Sequence, residues 1–273
     1  MFDRFHRSIA LTKASWRLLM KDKELMVLPV ISGVCILLVC ALFVVPVLVA
    51  FGGELPEGDQ EQGLGWLVGL PLYIAIYTIT IFFQAAVVAG ATERMNGGDP
   101  TVSSALAAAW QRKGTILMWG AVAGTVGMIL RSIQERSELI GRIVIGLVGA
   151  AWSLATFFVV PVIVVEGRPV KDAFKSSLAL FRERWGEAVI GSGGISLFGF
   201  LLFLPVIGIC ALLISAELIV PAIAFGVLAA AALSALLSTL QGIYVAALYR
   251  YARTEESPAG MDPALLSGAF RAR

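Results

Sequence analysis

Residues 27–51 read VLPVISGVCILLVCALFVVPVLVAF, an apolar run without a single charge. About 20 such residues, wound as a helix, cross the ~30 Å hydrocarbon core of a bilayer, so this stretch reads as a membrane span. The same test along the chain gives five more, at about 64–93, 114–130, 143–165, 188–214 and 218–249. The third is the shortest, and Ile129, Leu130 and Ile133 extend its apolar pattern past Arg131. Only 15% of the 273 residues are charged, against about 25% in a soluble domain, which agrees with a lipid solvent.

The basic residues set the expected orientation, because they favour cytoplasmic segments. With the N-terminus inside, all 21 lysines and arginines fall on inner segments except Arg131, Arg136 and Arg142. The first outer loop carries Glu54, Glu57, Asp59 and Glu61 and no base. Both termini are therefore expected in the cytoplasm, with the chain in the inner or plasma membrane of a bacterium-like cell. The outer arginines have acids at helical spacing, Arg131–Glu135 and Glu138–Arg142, which predicts i, i+4 pairs. The first apolar run starts late, near Val27, so the N-terminus reads as retained and not as a cleaved signal.

The chain also reads as three copies of one hairpin, each introduced by a cytoplasmic amphipathic helix. These helices are expected at about 2–22, 101–113 and 170–186, with a short fourth piece at 263–271. The first has Phe2, Phe5, Ile9, Trp16 and Leu19 on one stripe. The second has Val102, Leu106 and Trp110, and the third Phe174, Leu178, Phe181 and Trp185. Leu266 and Phe270 mark the last. Gly97-Gly98-Asp99-Pro100, Glu166-Gly167-Arg168-Pro169 and Gly260-Met261-Asp262-Pro263 precede three of them, with aspartate expected to cap and proline suited to a first helical turn. A basic helix with an aromatic stripe either seats in the headgroup layer or packs on the bundle, and Trp16, Trp110, Phe174, Phe181 and Trp185 are the candidate membrane-surface or partner face.

Three stretches carry a family resemblance: Val160–Gly167 (VPVIVVEG), Asp172–Ser177 (DAFKSS) and Phe181–Glu187 (FRERWGE). With Ser15-Trp16, Lys23-Glu24-Leu25 and Leu28-Pro29 near the start, they resemble DUF6159, a bacterial membrane-protein family of unknown function. Weaker likeness extends to other six-span domains, such as the membrane domain attached to some glycerophosphodiester phosphodiesterases. The resemblance implies the six-span architecture over nearly the whole chain and brings no catalytic residues with it.

Chemistry at depth needs ionisable or nucleophilic groups, which are costly in lipid and mark function where they occur. The one histidine, His6, lies in the N-terminal helix, and Cys35, Cys40 and Cys210 are dispersed in apolar runs. That pattern suits small hydrophobes, not a metal site or disulfide framework. Gly191-Ser192-Gly193-Gly194 lacks the order of a nucleophile elbow and reads as close helix packing. An enzyme is thus not expected, nor any cofactor or metal, and a net charge of +2 does not suggest nucleic acid. The mild polar groups at depth are Gln84 and Gln241, nine or ten residues before Arg94 and Arg250. They are expected either to bond each other across the bundle, the preferred reading, or to line a polar site. Gly120, Ala123, Gly124 and Gly127 predict a close helix contact, and Gly191, Gly194 and Gly199 another. Six prolines, at 29, 46, 71, 161, 205 and 221, lie in or beside spans and are only a weak sign of broken helices.

The expected function is a non-enzymatic multi-pass membrane protein that engages the lipid bilayer or a protein partner at its cytoplasmic face. A second copy of the chain is an open alternative as partner. The runner-up is a small-solute or lipid transporter with a site between the repeats. It would lack proton or sodium coupling, since no deep acid is present to carry the ion.

Overall fold

The computed structural model describes residues 15–52 and 65–254, with side chains described for all but 65, 66, 139, 140 and 183–197. Residues 2–14 of the first amphipathic segment, with His6, the acidic loop 54–61 and the helix expected at 263–271 lie outside the described residues. So do the side chains of Trp185, Gly191, Ser192 and Gly194.

Every regular element among the described residues is helical. Helix α1 covers residues 15–21. It leads through a 3-10 turn, Lys23–Met26, into α2, Val27–Ala50. A π turn at Gly65–Gly69 opens α3, Leu70–Met95, and then come α4, Val102–Gln111, and α5, Lys113–Arg136. Helix α6, Leu139–Ala155, is followed by a turn at Val159–Pro161 and a π turn at Val162–Glu166. The two longest helices are α7, Val170–Ser215, and α8, Ile219–Thr254.

Six stretches are long and apolar enough to cross a membrane: Lys23–Ala50, Leu67–Met95, Lys113–Arg136, Gly141–Glu166, Phe198–Ser215 and Ile219–Thr254. They agree with the six expected spans, and the third runs a turn and a half further, to Arg136, as Ile129, Leu130 and Ile133 suggested. The protein is a multi-pass membrane protein of all-helical architecture.

Two boundaries differ from expectation. Segments 170–186 and 188–214 form one unbroken helix of 46 residues. Nothing between Arg182 and Glu187 stops a helix, and a single Gly186 costs only ~1 kcal/mol. At 1.5 Å per residue the helix is roughly 70 Å long, so about half of it extends beyond a ~30 Å hydrocarbon core. The other difference is a break in the fourth span at residues 156–158, three residues before Pro161. Proline lacks an N–H and crowds the preceding turn, so the helix is interrupted there.

The core sits between α3 and α8. From Ile81 to Met95, and from Thr239 to Tyr249, most side chains are buried. Small residues make the contact possible. A Cβ on Gly242 would lie 2.5 Å from Val87 Cγ1, and one on Gly120 would lie 2.8 Å from Thr78 Cα. Gly124 and Gly127 face Ile74 and Tyr77 in the same way, so the small-residue stripe of α5 packs on α3 as expected.

Candidate functional site

The end of α3, the π turn that closes the fourth span and the end of α8 meet at one end of the bundle, where most of the described basic residues lie. Two glycines with positive φ turn the chain there, Gly97 (86°) and Gly167 (67°). Only glycine adopts these angles without strain. Behind the first turn, Arg94 Nε donates to Asp22 Oδ2 at 2.5 Å, and its Nη2 donates to Asp22 Oδ1 and to Asp99 Oδ1, the latter at 2.5 Å. The Asp22 side chain is only 5% exposed. A buried carboxylate needs such a partner, so the fork ties the start of the first span to the end of the second.

Asp99 is thereby spent on Arg94 and does not cap α4, contrary to expectation. Thr101 caps instead: its Oγ1 accepts from Ser104 N at 3.1 Å while Ser104 Oγ accepts from Thr101 N at 3.0 Å. Ser104 Oγ also donates to Glu93 Oε2 at 2.9 Å, fastening α4 to α3. Pro169 stands at the N-cap of α7, without a side-chain cap bond.

Behind the second turn, Glu166 is the hub. Its Oε2 accepts from Arg168 Nε at 2.5 Å, and its Oε1 accepts from Arg253 Nη2 at 2.5 Å and from the Tyr249 hydroxyl. Arg253 also donates to Ser176 Oγ at 2.8 Å. Arg250 Nη1 reaches across to Met95 O at 2.7 Å and Asn96 Oδ1 at 2.5 Å.

Ser177, fully buried, repairs the break in the fourth span. Its Oγ donates to Ala155 O at 2.7 Å and accepts from Phe158 N at 3.0 Å. Backbone groups freed by a broken helix at membrane depth must find such a partner. Ser177 closes the DAFKSS stretch that carries the family resemblance, but no spacing in the sequence announces this role.

The aromatic candidates divide. Phe181 is buried, and Phe174 is half-buried and stacked on Trp152 at 5.7 Å, which in turn stacks on Trp119 at 6.0 Å. Packing on the bundle, the alternative to membrane seating, describes these two. Trp16 and Trp110 are exposed, at 38% and 60%. Trp16 meets Phe198 edge-on at 6.5 Å, and Trp110 meets Phe82 edge-on at 6.2 Å. Lys113 Nζ stands 4.4 Å from the centre of the Trp110 ring. The buried face of α4 is Ala105 and Ala109, whose small size lets it approach α3 at Gly90. The expected stripe of Val102, Leu106 and Trp110 flanks that face.

Gln84 and Gln241 come together on one cleft of about 620 Å³ between α3, α5, α6 and α8. Trp119 and Trp152 wall it, and Arg131 and Gln134 stand at its other end. Gln84 also borders a second cavity of about 680 Å³, largely apolar, between α2, α3 and α8. The preferred expectation of a bond between the glutamines is not met. Both side chains border this cleft instead.

At the opposite end of the bundle, Arg131 Nε pairs with Glu135 Oε1 at 2.8 Å, as the spacing predicted. Arg142 does not pair with Glu138. Its Nε donates to Ser137 O at 3.0 Å, because the helix ends at Arg136 and leaves that carbonyl open. Glu217, in the tight turn before α8, is exposed and takes a positive φ of 61°. It is a turn residue and not a buried partner of the arginines. Gly191–Gly194 lies in mid-helix, far from the strand-to-helix turn a nucleophile elbow needs. Cys35, Cys40 and Cys210 are free thiols, half-buried among apolar neighbours. Among the described residues, no group of three or more His, Cys, Asp or Glu is placed to hold a metal.

The model of a family of unknown function, DUF6159, matches residues 64–259. None of the curated proteins and none of the solved structures matches the chain.

Proposed function

The chain belongs to the DUF6159 family, and we propose that it works as a non-catalytic cell-membrane protein that engages lipid through its basic, cytoplasmic end. In this reading three hairpins each follow an amphipathic cytoplasmic helix, and both termini are cytoplasmic. A partner protein or a second copy docks on the same surface if lipid does not. The observation that carries the reading is α4. It is fastened to the basic end of α3 with its alanines inward, Trp110 outward and Lys113 over the exposed ring. An exposed indole beside a lysine suits the headgroup layer, where its ring is half in hydrocarbon and its N–H is wet.

The test compares tryptophan emission of the wild type and Trp110→Phe in liposomes. The component lost with Trp110 is expected to be quenched by lipids brominated near the headgroup and to be shielded from aqueous iodide. The reverse pattern places α4 in water and removes the reading.

The cleft shared by Gln84 and Gln241 supports a second reading, passage of a small polar solute or a lipid between the helices. Two amides at membrane depth need partners, and a cleft of this size leaves room for water or a ligand to supply them. Gln84→Ala with Gln241→Ala would then abolish retention of a bound small molecule in native mass spectra from nanodiscs. Spectra of the wild type with no retained species would set this reading aside.

A further inference from the structure

Arg168, Arg250 and Arg253 converge on a pocket of about 480 Å³ at the basic end. Thr92 and Asn96 close it from the end of α3, Glu166 from the π turn, and Tyr249 from α8. Three arginines stand there against one glutamate, a surplus of two positive charges among the described lining residues. A fourth guanidinium, that of Arg112, packs on Gly167 beside them: a Cβ at 167 would lie 2.5 Å from its Nη2.

These side chains are held by the fold. Glu166, its side chain 19% exposed, spaces Arg168 and Arg253 by binding one with each oxygen. Arg250 is anchored through Nη1 alone, to a carbonyl and a side-chain amide, and meets no carboxylate among the described residues. Its remaining N–H groups are therefore available to a ligand. The left-handed turn at Gly167 sets Arg168 apart from Glu166 along the chain while letting the two pair.

We propose that this pocket binds a phosphate group. Guanidinium forks match phosphate oxygens two at a time, and three of them, two from α8 and one from the turn before α7, suit a tetrahedral oxyanion better than a planar carboxylate. A surplus of two charges matches a phosphate monoester or an anionic lipid phosphate with its headgroup. The pocket lies where α8 leaves its apolar stretch, the depth at which basic recesses between spans take anionic headgroups. The lipid as source rests on the function proposed above; the phosphate chemistry does not.

The full chain would be purified in maltoside micelles, which contain no phosphate. It would be titrated with inorganic phosphate and, separately, with short-chain phosphatidylglycerol, following thermal unfolding and native mass. At least one probe is expected to bind saturably. Arg168→Gln with Arg250→Gln is expected to weaken that binding about tenfold or more. Lys171→Gln with Lys175→Gln removes the same charge from the exposed neighbouring surface and is expected to bind as the wild type does. Phosphatidylglycerol binding that phosphate does not displace identifies a lipid. Equal or tighter binding of phosphate identifies a soluble phosphorylated ligand. Failure of both probes with the wild type overturns the pocket, as does equal weakening by the two double variants.

If the arginine pair does not fold, Arg250→Lys, which keeps the charge and loses the fork, carries the comparison. Several-fold weaker binding is expected, and unchanged affinity overturns the proposal. Binding of inorganic phosphate with Trp110 found in water removes the lipid reading and leaves the pocket. Trp110 among headgroups with neither probe bound does the opposite.

Discussion

Helix α8 crosses two kinds of surroundings. From Ile219 to Ser234 it presents Val220, Ile223, Val227 and Leu228 outward. From Thr239 to Tyr249 nearly every side chain is buried, and Gly242 lies hard against Val87. Helix α3 repeats the pattern, half-buried before Thr80 and enclosed after it. In lipid an outward apolar side chain loses nothing, so there is no hydrophobic pressure to close that half. The other half carries Asp22, Arg94, Glu166, Arg250 and Arg253, whose charges need fixed partners. Tight packing of α3 on α8 accompanies the polar network, while the Gly120–Gly127 stripe of α5 carries a close contact further along α3, to Ile74 and Tyr77.

The contrast is broken most severely at its ion pair. Arg94→Ala leaves the Asp22 carboxylate buried without its partner, and a loss of about 3–5 kcal/mol is expected. Chemical denaturation in a mild detergent would measure it. Gly242→Leu drives a side chain into Val87 and is expected to cost about 1–3 kcal/mol by the same assay. Ser177→Ala strands the Phe158 N–H and the Ala155 carbonyl at the break in the fourth span, a loss of about 1–3 kcal/mol. Faster amide exchange at residues 155–159 should accompany it. In the open half, Val227→Ala and Leu228→Ala are expected to change stability by less than about 0.5 kcal/mol. A large loss there would mean that these side chains meet protein and not lipid.

The parts legible in the sequence are those that lipid imposes directly. Six apolar runs of sufficient length have no other comfortable solvent, and the Gly120–Gly127 stripe has no better use than a close contact. The cap of α4 was misplaced by two residues because Asp99 has a better partner in Arg94, and only the folded chain brings that arginine close. Periodicity drew Phe174 and Phe181 as a stripe but could not say which side would face the bundle, since core and membrane both accept phenylalanine. The break at residues 156–158 is invisible to hydropathy because the stretch from Ile143 to Val165 carries no charge. The basic pocket joins residues from distant turns, Asn96, Glu166 and Arg250, and no local spacing announces it.

The account turns on the packed, basic end facing the cytoplasm. In a background with Cys35, Cys40 and Cys210 replaced by serine or alanine, single cysteines at exposed positions, Lys175→Cys and Arg136→Cys, would be challenged with a membrane-impermeant maleimide in spheroplasts. The account predicts labelling of the Arg136→Cys protein in sealed spheroplasts, and of the Lys175→Cys protein only after lysis. Labelling of the Lys175→Cys protein in sealed spheroplasts, with Arg136→Cys protected, would contradict it.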